Sequence, residues 1–312
     1  MGNMSKFNEL TPEELQRWME SGENVLLIDV LPSDHFQKVH VPNAKNACVF
    51  EVTFLNQMQA ISSDTSTEIV LCGSSPRSMD AITAAQKLER NGYRRLHILK
   101  GGIEAWREAG LGLEGEEADI PEDAETTFTP EDGRYIVDSS QSIIEWTGRN
   151  ADNKHFGTIG IASGELSVTS GSMTGGIEID MKSIKNINLA GDPLQPVLIN
   201  HLHSDDFFFV KYFPTATLTV DSAKPVKDSC LTFPNYEVKG ILELRGKKAD
   251  LDFLSTVSKT ADNGFSAEAH FDIDRTRWGL IYGSARFFEH LGMHVVFDLI
   301  SIQLRAIARK TR

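Results

Sequence analysis

Two patterns of apolar and polar positions divide the chain. Through residue 112, short continuous apolar runs alternate with stretches of helical spacing. Residues 25–30 and 68–71 read as strands buried on both faces, and 95–99 as a third. Thr11-Pro12-Glu13-Glu14 is a helix start, with an N-cap, a proline at the first helical position and acids in the first turn. Met79, Ile82, Ala85 and Leu88 recur at helical spacing through 78–90. Gly101-Gly102 leads into a short helix through Trp106. Strands alternating with helices predict an α/β domain, a parallel sheet covered on both faces. From about Tyr135 the helical period is largely lost. Alternating segments at 165–169, 177–181, 217–220, 265–273 and 295–304 are separated by Gly, Asn, Asp and Pro. They predict one all-β antiparallel sandwich or closed barrel. The expected division is a first domain over 5–113, an acidic linker over 114–130 and a barrel over 131–312. Residues 114–125 hold seven acidic residues and no basic one, as a solvated linker would.

Composition narrows the function classes. The 312 residues are 40% hydrophobic and 24% charged, with a formal net charge of −13. That charge disfavours nucleic acid and anionic surfaces as partners. Arg305, Arg309, Lys310 and Arg312 form the one basic cluster, expected as a short solvated tail. Cys48, Cys72 and Cys230 are odd in number and far apart, so neither a disulfide framework nor a zinc site is expected, and a reducing compartment is favoured. Residues 1–10 are polar, and no apolar run reaches the roughly 18–20 residues of a membrane span. The expectation is a cytoplasmic protein without a membrane span. The oligomeric state is not legible from these features.

Cys72 follows an apolar strand and precedes a helix. There a sulfur meets unpaired backbone N–H groups and the positive end of the next helix, both of which stabilise a thiolate or persulfide anion. Gly73, Ser74 and Ser75 are small enough for the backbone to curl round it, Pro76 and Ser78 complete the loop, and Arg77 adds a permanent positive charge. With Asp29-Val30, His40-Val41-Pro42-Asn43-Ala44 and the segment Lys100-Gly101-Gly102-Ile103-Glu104-Ala105-Trp106, this loop resembles the rhodanese domain. The resemblance implies a sulfurtransferase in which Cys72 takes sulfur from thiosulfate or a related donor and passes it to a thiol or cyanide. Four residues separate Cys72 from Arg77; phosphatases of the same fold use a longer loop, so the spacing favours sulfur over phosphorus. Leu31, Val39 and Asn43 stand where the family has Arg, Gly and Gly, and Leu31 removes a charge that would help to hold an anionic donor. His40 and Asp29 are structural in the resemblance rather than members of a triad.

The second half is rich in aromatics, which serve equally as a solid core or as the lining of a cup. His201-Leu202-His203-Ser204-Asp205-Asp206-Phe207-Phe208 with Phe213-Pro214-Thr215-Ala216-Thr217, and the strand 238–246, resemble the YceI-like domain. The resemblance implies a lipocalin-like barrel holding an isoprenoid, a quinone or another long-chain lipid. Trp146, Phe207, Phe208, Phe213, Trp278 and Phe287 are the candidate lining residues. His201 and His203 beside Asp205-Asp206 have no second ligand set, so no metal is expected. Asp274 and Arg275 are expected to pair with each other at a strand end. The leading expectation is a sulfurtransferase without a resident cofactor, working through a transient persulfide and coupled to a lipid-binding barrel. The alternative is a non-catalytic lipid carrier whose first domain serves for docking or regulation.

Overall fold

The computed structural model describes residues 7–22, 24–118, 128–227, 229–230 and 232–311. The chain divides into two compact units, Met1–Asp123 and Ala124–Arg312. The first unit runs β1 (Asn8–Leu10), α1 (Pro12–Glu20), β2 (Leu26–Asp29), α2 (Ser33–Lys38), β3 (Lys45–Asn46), α3 (Phe54–Ile61), β4 (Ile69–Cys72), α4 (Asp80–Arg90), β5 (Leu96–Leu99) and α5 (Gly102–Glu108). Its sheet has the order β1-β5-β4-β2-β3, with every pairing parallel. Thr11 and Glu14 close the capping box at the start of α1, each side chain accepting the other's backbone N–H. Successive strand residues serve opposite faces: Ile28, Ile69 and Leu71 pack with Ala84 and Leu88, whereas Leu27 and Val70 pack with Leu15, Ile103 and Trp106. This two-sided burial is why the strands read as unbroken apolar runs.

The start of the expected linker belongs to the first unit. His40 and Glu114 exchange backbone hydrogen bonds of 2.8 and 2.9 Å, and the N–H groups of Glu116 and Glu117 donate to the carbonyls of Gln37 and Lys38. Composition reports solvation and not backbone pairing, which here decides the outcome. Gly115 permits the close approach, since a Cβ there would lie 2.3 Å from the Lys38 oxygen. Residues 119–127 of the expected linker lie outside the described residues, and Phe128 packs on the barrel core.

The second unit runs β6 (Gly133–Val137), β7 (Ile143–Arg149), β8 (Lys154–Thr169), β9 (Ser172–Asn186), α6 (Leu194–His203), β10 (Thr215–Pro225), β11 (Tyr236–Leu244), β12 (Lys247–Lys259), β13 (Phe265–Asp274) and β14 (Leu299–Lys310). β6 and β7 both pair with β8 and with β14, so they share one place, and pairing of β13 with β14 closes an eight-stranded antiparallel barrel. Ser170 and Gly171 both have positive φ and form a two-residue turn between β8 and β9, as hairpin twist demands. The basic cluster near the end of the chain is the last barrel strand, not a tail: Arg305 pairs with Glu268, Arg309 with Asp138 and Lys310 with Glu131; Arg312 lies outside the described residues. The helix α6 was not legible, because Pro196 and the polar residues at its end interrupt its apolar spacing. No helix among the described residues is long and apolar enough to cross a membrane.

Candidate functional site

In the first unit the register sets Cys72 beside Asp29 at the carboxyl ends of β4 and β2. Open parallel sheets build their sites at this edge. The loop from Gly73 to Met79 is folded against α5, whose Ile103 and Glu104 N–H groups donate to the carbonyls of Gly73 and Ser74. Gly102 is obligatory there, since a Cβ would lie 2.5 Å from the Gly73 oxygen. Cys72 is fully buried, Ser74, Ser75 and Ser78 are half-buried, and Pro76 and Arg77 are exposed. Desolvation pushes the Cys72 thiol well above its ordinary value, and the carboxylate of Asp29 pushes it further in the same direction. A residue absent from the sequence reading accounts for part of the loop's shape. The buried Asp80 carboxylate accepts from the Ser74 N–H at 2.9 Å, from the Ser74 hydroxyl at 2.8 Å and from the Ala81 N–H at 2.6 Å. The anion nearest the start of α4 is thus Asp80. Its small neighbour Gly73 is what makes room, because a Cβ there would lie 2.0 Å from Asp80 Oδ1.

Asp29 is itself fully buried. Its Oδ1 accepts from the Leu31 N–H at 2.9 Å, and its Oδ2 has no hydrogen-bond partner. Desolvation raises it from 3.8 to about 6, against the opposing pull of the Leu31 N–H, His35, His40 and Asn46. Between these values the folded chain holds a proton that the unfolded chain has released. The stability so gained is complete below pH 3.8 and is lost as pH rises through about 6. Asp29→Asn, neutral at every pH, is expected to be more stable than the wild type at pH 7 by on the order of 3 kcal/mol and to lose most of that advantage near pH 4. Urea unfolding of both proteins at the two pH values checks this. His40 is held structurally: its ring stacks on Phe36 at 3.9 Å and its Nδ1 lies 2.6 Å from the Phe36 carbonyl oxygen.

The barrel encloses an apolar cavity of about 320 Å³. The register orders its lining in rungs. Gly148, Ile300 and Ile273 form the rung nearest the mouth, Trp146, Ile302 and Phe271 the second, and Ile144 and Leu304 the third. Beyond them Tyr135 and Phe265, with ring centroids 5.0 Å apart, fill the interior and close the far end. The mouth carries the polar lining: Arg149, Asn150, His155, His201, Tyr282 and His294. His201 Nε2 pairs with Asp206 at 3.0 Å, and its ring meets the edges of Phe207 and Tyr282. His203 does not line the cavity. Arg275 does not pair with Asp274. Asp274 caps Thr276 and pairs with Arg286 at 2.7 Å, whereas Arg275 turns inward, gives its guanidinium N–H groups to the carbonyls of Leu280, Val296 and Phe297, and contacts Asp298 at 3.5 Å. It ties down the segment that flanks the mouth.

Of the aromatics expected in the lining, Trp146, Phe207 and Phe208 face the cavity. The other three are corrected. Trp278 is sealed in the wall with its Nε1 donating to the Leu242 carbonyl at 2.7 Å, near the stretch where β12 and β13 are no longer paired. Phe213 covers the β11–β12 turn, where a Cβ on Gly246 would lie 2.8 Å from its ring. Phe287 is 53% exposed. Most of the lining is aliphatic, from inward positions on all the strands from β7 to β14, with β9 and β14 giving the most, and alternation was the signal that could have found it.

A YceI-like domain model matches residues 135–308 and a rhodanese-like domain model matches residues 11–109. The protein "Probable adenylyltransferase/sulfurtransferase MoeZ" of Mycobacterium tuberculosis is 29% identical over 104 residues, covering 33% of this chain and 25% of that protein. The match thus spans about a quarter of that relative's length. Among solved structures, BcnA of Burkholderia cenocepacia is similar with a TM-score of 0.43 and 17% identity, covering 55% of this chain and 98% of that one. A polyisoprenoid binding domain from Saccharophagus degradans has a TM-score of 0.43 and 14% identity, covering 58% and 100%. With more than half its length matched by that one model, the chain belongs to the YceI-like family and carries a rhodanese-like domain ahead of the barrel.

Proposed function

We propose that the barrel binds a long-chain apolar ligand of the isoprenoid or a related lipid class, and that Cys72 carries sulfane sulfur as a persulfide. The observation that carries the first part is the cavity itself, closed at one end, walled mostly by hydrocarbon over three rungs and with its charged lining gathered at the mouth. Its volume of about 320 Å³ lies at the lower end of the roughly 300–1,000 Å³ of ligand pockets. A filled core has no such void, since interiors pack nearly without voids larger than a water molecule. Gly148 offers a test at the first rung. Its backbone is ordinary and a Cβ would meet only Ile300 Cδ1 at 3.5 Å, so Gly148→Phe places a ring in the cavity without disturbing the strand. Titration with parinaric acid, a fluorescent long-chain probe, is expected to show binding by the wild type and at least about tenfold weaker binding by the variant. Equal binding by both would remove the cavity from the reading.

The sulfur reading rests on the four-residue spacing from Cys72 to Arg77, on the place of Cys72 at the carboxyl edge of the sheet, and on the sulfurtransferase in the name of the MoeZ relative. A second reading, a lipid carrier whose rhodanese-like domain only docks or regulates, is favoured by the complete burial of Cys72. A mass gain of one sulfur on Cys72 after incubation with thiosulfate separates the two.

A further inference from the structure

We infer that the barrel docks on a net-neutral lipid bilayer through an exposed apolar rim at its mouth, made by the start of α6 and by the segment 284–295. The choice of partner rests on the lipid-cavity reading, and the rim gives that reading a source for its ligand. On α6, Leu194 and Val197 are 61% and 60% exposed, while Leu198, His201 and Leu202 of the same helix line the cavity. On the segment 284–295, Phe287 and Phe288 are exposed, and Met293 is 90% exposed although it too lines the cavity. The ring of His201 meets that of Tyr282 with centroids 4.7 Å apart, so the helix and the strap that leads to the segment touch at the mouth. The apolar lining thus runs out of the barrel onto its surface. Single exposed apolar side chains are ordinary; a cluster of them continuous with a cavity marks a protein or membrane interface.

The segment is tied at its base. The Val296 N–H donates to the Gly283 carbonyl at 2.8 Å, and a Cβ on Gly283 would lie 2.3 Å from the His294 oxygen. Arg275 holds the carbonyls of Leu280, Val296 and Phe297. The two phenylalanines are therefore presented from a fixed frame. Charge selects the partner. The helix α6 contains no Asp, Glu, Lys or Arg, and residues 281–297 contain one ionised residue of each sign, Arg286 and Glu289, in a chain of formal charge −13. A basic partner is drawn to the acidic surface elsewhere, and an anionic bilayer repels the chain. A zwitterionic bilayer matches a rim without net charge. A second copy seated on the rim plugs the mouth that the ligand must pass, whereas a bilayer holds a long-chain ligand and takes up the apolar side chains in its interface.

The experiment is flotation of the full chain with phosphatidylcholine vesicles, for the wild type and for Phe287→Ser/Phe288→Ser. The double variant is expected to bind parinaric acid as the wild type does, which shows that fold and cavity are intact. The wild type is expected to float with the vesicles, and the variant to bind them at least about tenfold more weakly. Adding anionic phosphatidylglycerol is expected not to strengthen the binding. Should the variant lose parinaric acid binding, Leu194→Ser/Val197→Ser, on the other side of the mouth, decides by the same measure. A wild type that stays in solution, equal flotation of wild type and variant, or flotation only with anionic vesicles overturns the inference. So does a wild-type dimer in light scattering that the double variant dissociates, since the rim then belongs to a second copy. Each of these results leaves the lipid cavity standing where parinaric acid still binds. Flotation lost in the variant, with parinaric acid bound by neither protein, supports the docking surface and overturns the cavity reading alone.

Discussion

Cys72→Ser is expected to abolish thiocyanate formation from thiosulfate and cyanide. In the first half of the proposed cycle the Cys72 thiolate would attack the outer sulfur of thiosulfate, forming a new S–S bond as the old one breaks and sulfite leaves with the electron pair. In the second half cyanide would attack the outer sulfur of the persulfide, so that thiocyanate leaves and the thiolate returns. Serine cannot carry the sulfur, so the loss is complete rather than partial. The buried thiol adds a pH dependence. Desolvation and then Asp29 raise Cys72 above its ordinary value. The thiolate fraction, and with it the first half-reaction, therefore grows about tenfold per pH unit below the thiol pKa. Asp29→Asn removes the second cause and is expected to raise the rate at a fixed neutral pH. Steady-state assays from neutral to alkaline pH check all three statements. A wild type that forms neither thiocyanate nor a persulfide with thiosulfate, at any of these pH values, would reduce the first domain to a docking module.

Arg275→Met is expected to destabilise the barrel by about 3–5 kcal/mol, the usual cost of removing one member of a buried charged network. Its guanidinium side chain is only 2% exposed. It supplies the donors for the carbonyls of Leu280, Val296 and Phe297, and its backbone N–H bonds the Asp298 carbonyl at 3.0 Å. Methionine keeps the length of the stem but leaves three carbonyls without their donor, and the Asp298 carboxylate keeps only Arg286, at 3.2 Å. Lysine restores the charge without the planar fork, so Arg275→Lys is expected to recover only part of the loss. Urea unfolding of the three proteins measures it. A loss below about 1 kcal/mol for Arg275→Met would mean that the carbonyls find other partners when the guanidinium is gone.

The legible parts of this chain were those whose signal is local. The strands β2, β4 and β5 showed as apolar runs because both faces of the sheet are covered, and the capping box of α1 was written in Thr11 to Glu14. The barrel class followed from alternation at 165–169, 177–181 and 265–273, each of which lies within a longer strand. What stayed hidden depends on pairing at long range. Asp80 reads as an ordinary acid in a first helical turn until the fold turns it back onto Ser74. Arg275 sits next to Asp274 in sequence, but its acceptors come from residues 280–298. The aromatics misled for the same reason. Trp146 and Trp278 look alike in sequence; one faces a void and the other a carbonyl, and strand register decides which.

The central claim is an apolar ligand in the barrel, and native mass spectrometry of the full chain as purified tests it most directly. The expected result is the protein carrying an organic ligand of several hundred daltons, extractable by solvent and absent from Gly148→Phe. Wild type with no such ligand, and none taken up from a long-chain quinone or lipid extract offered before measurement, would contradict it.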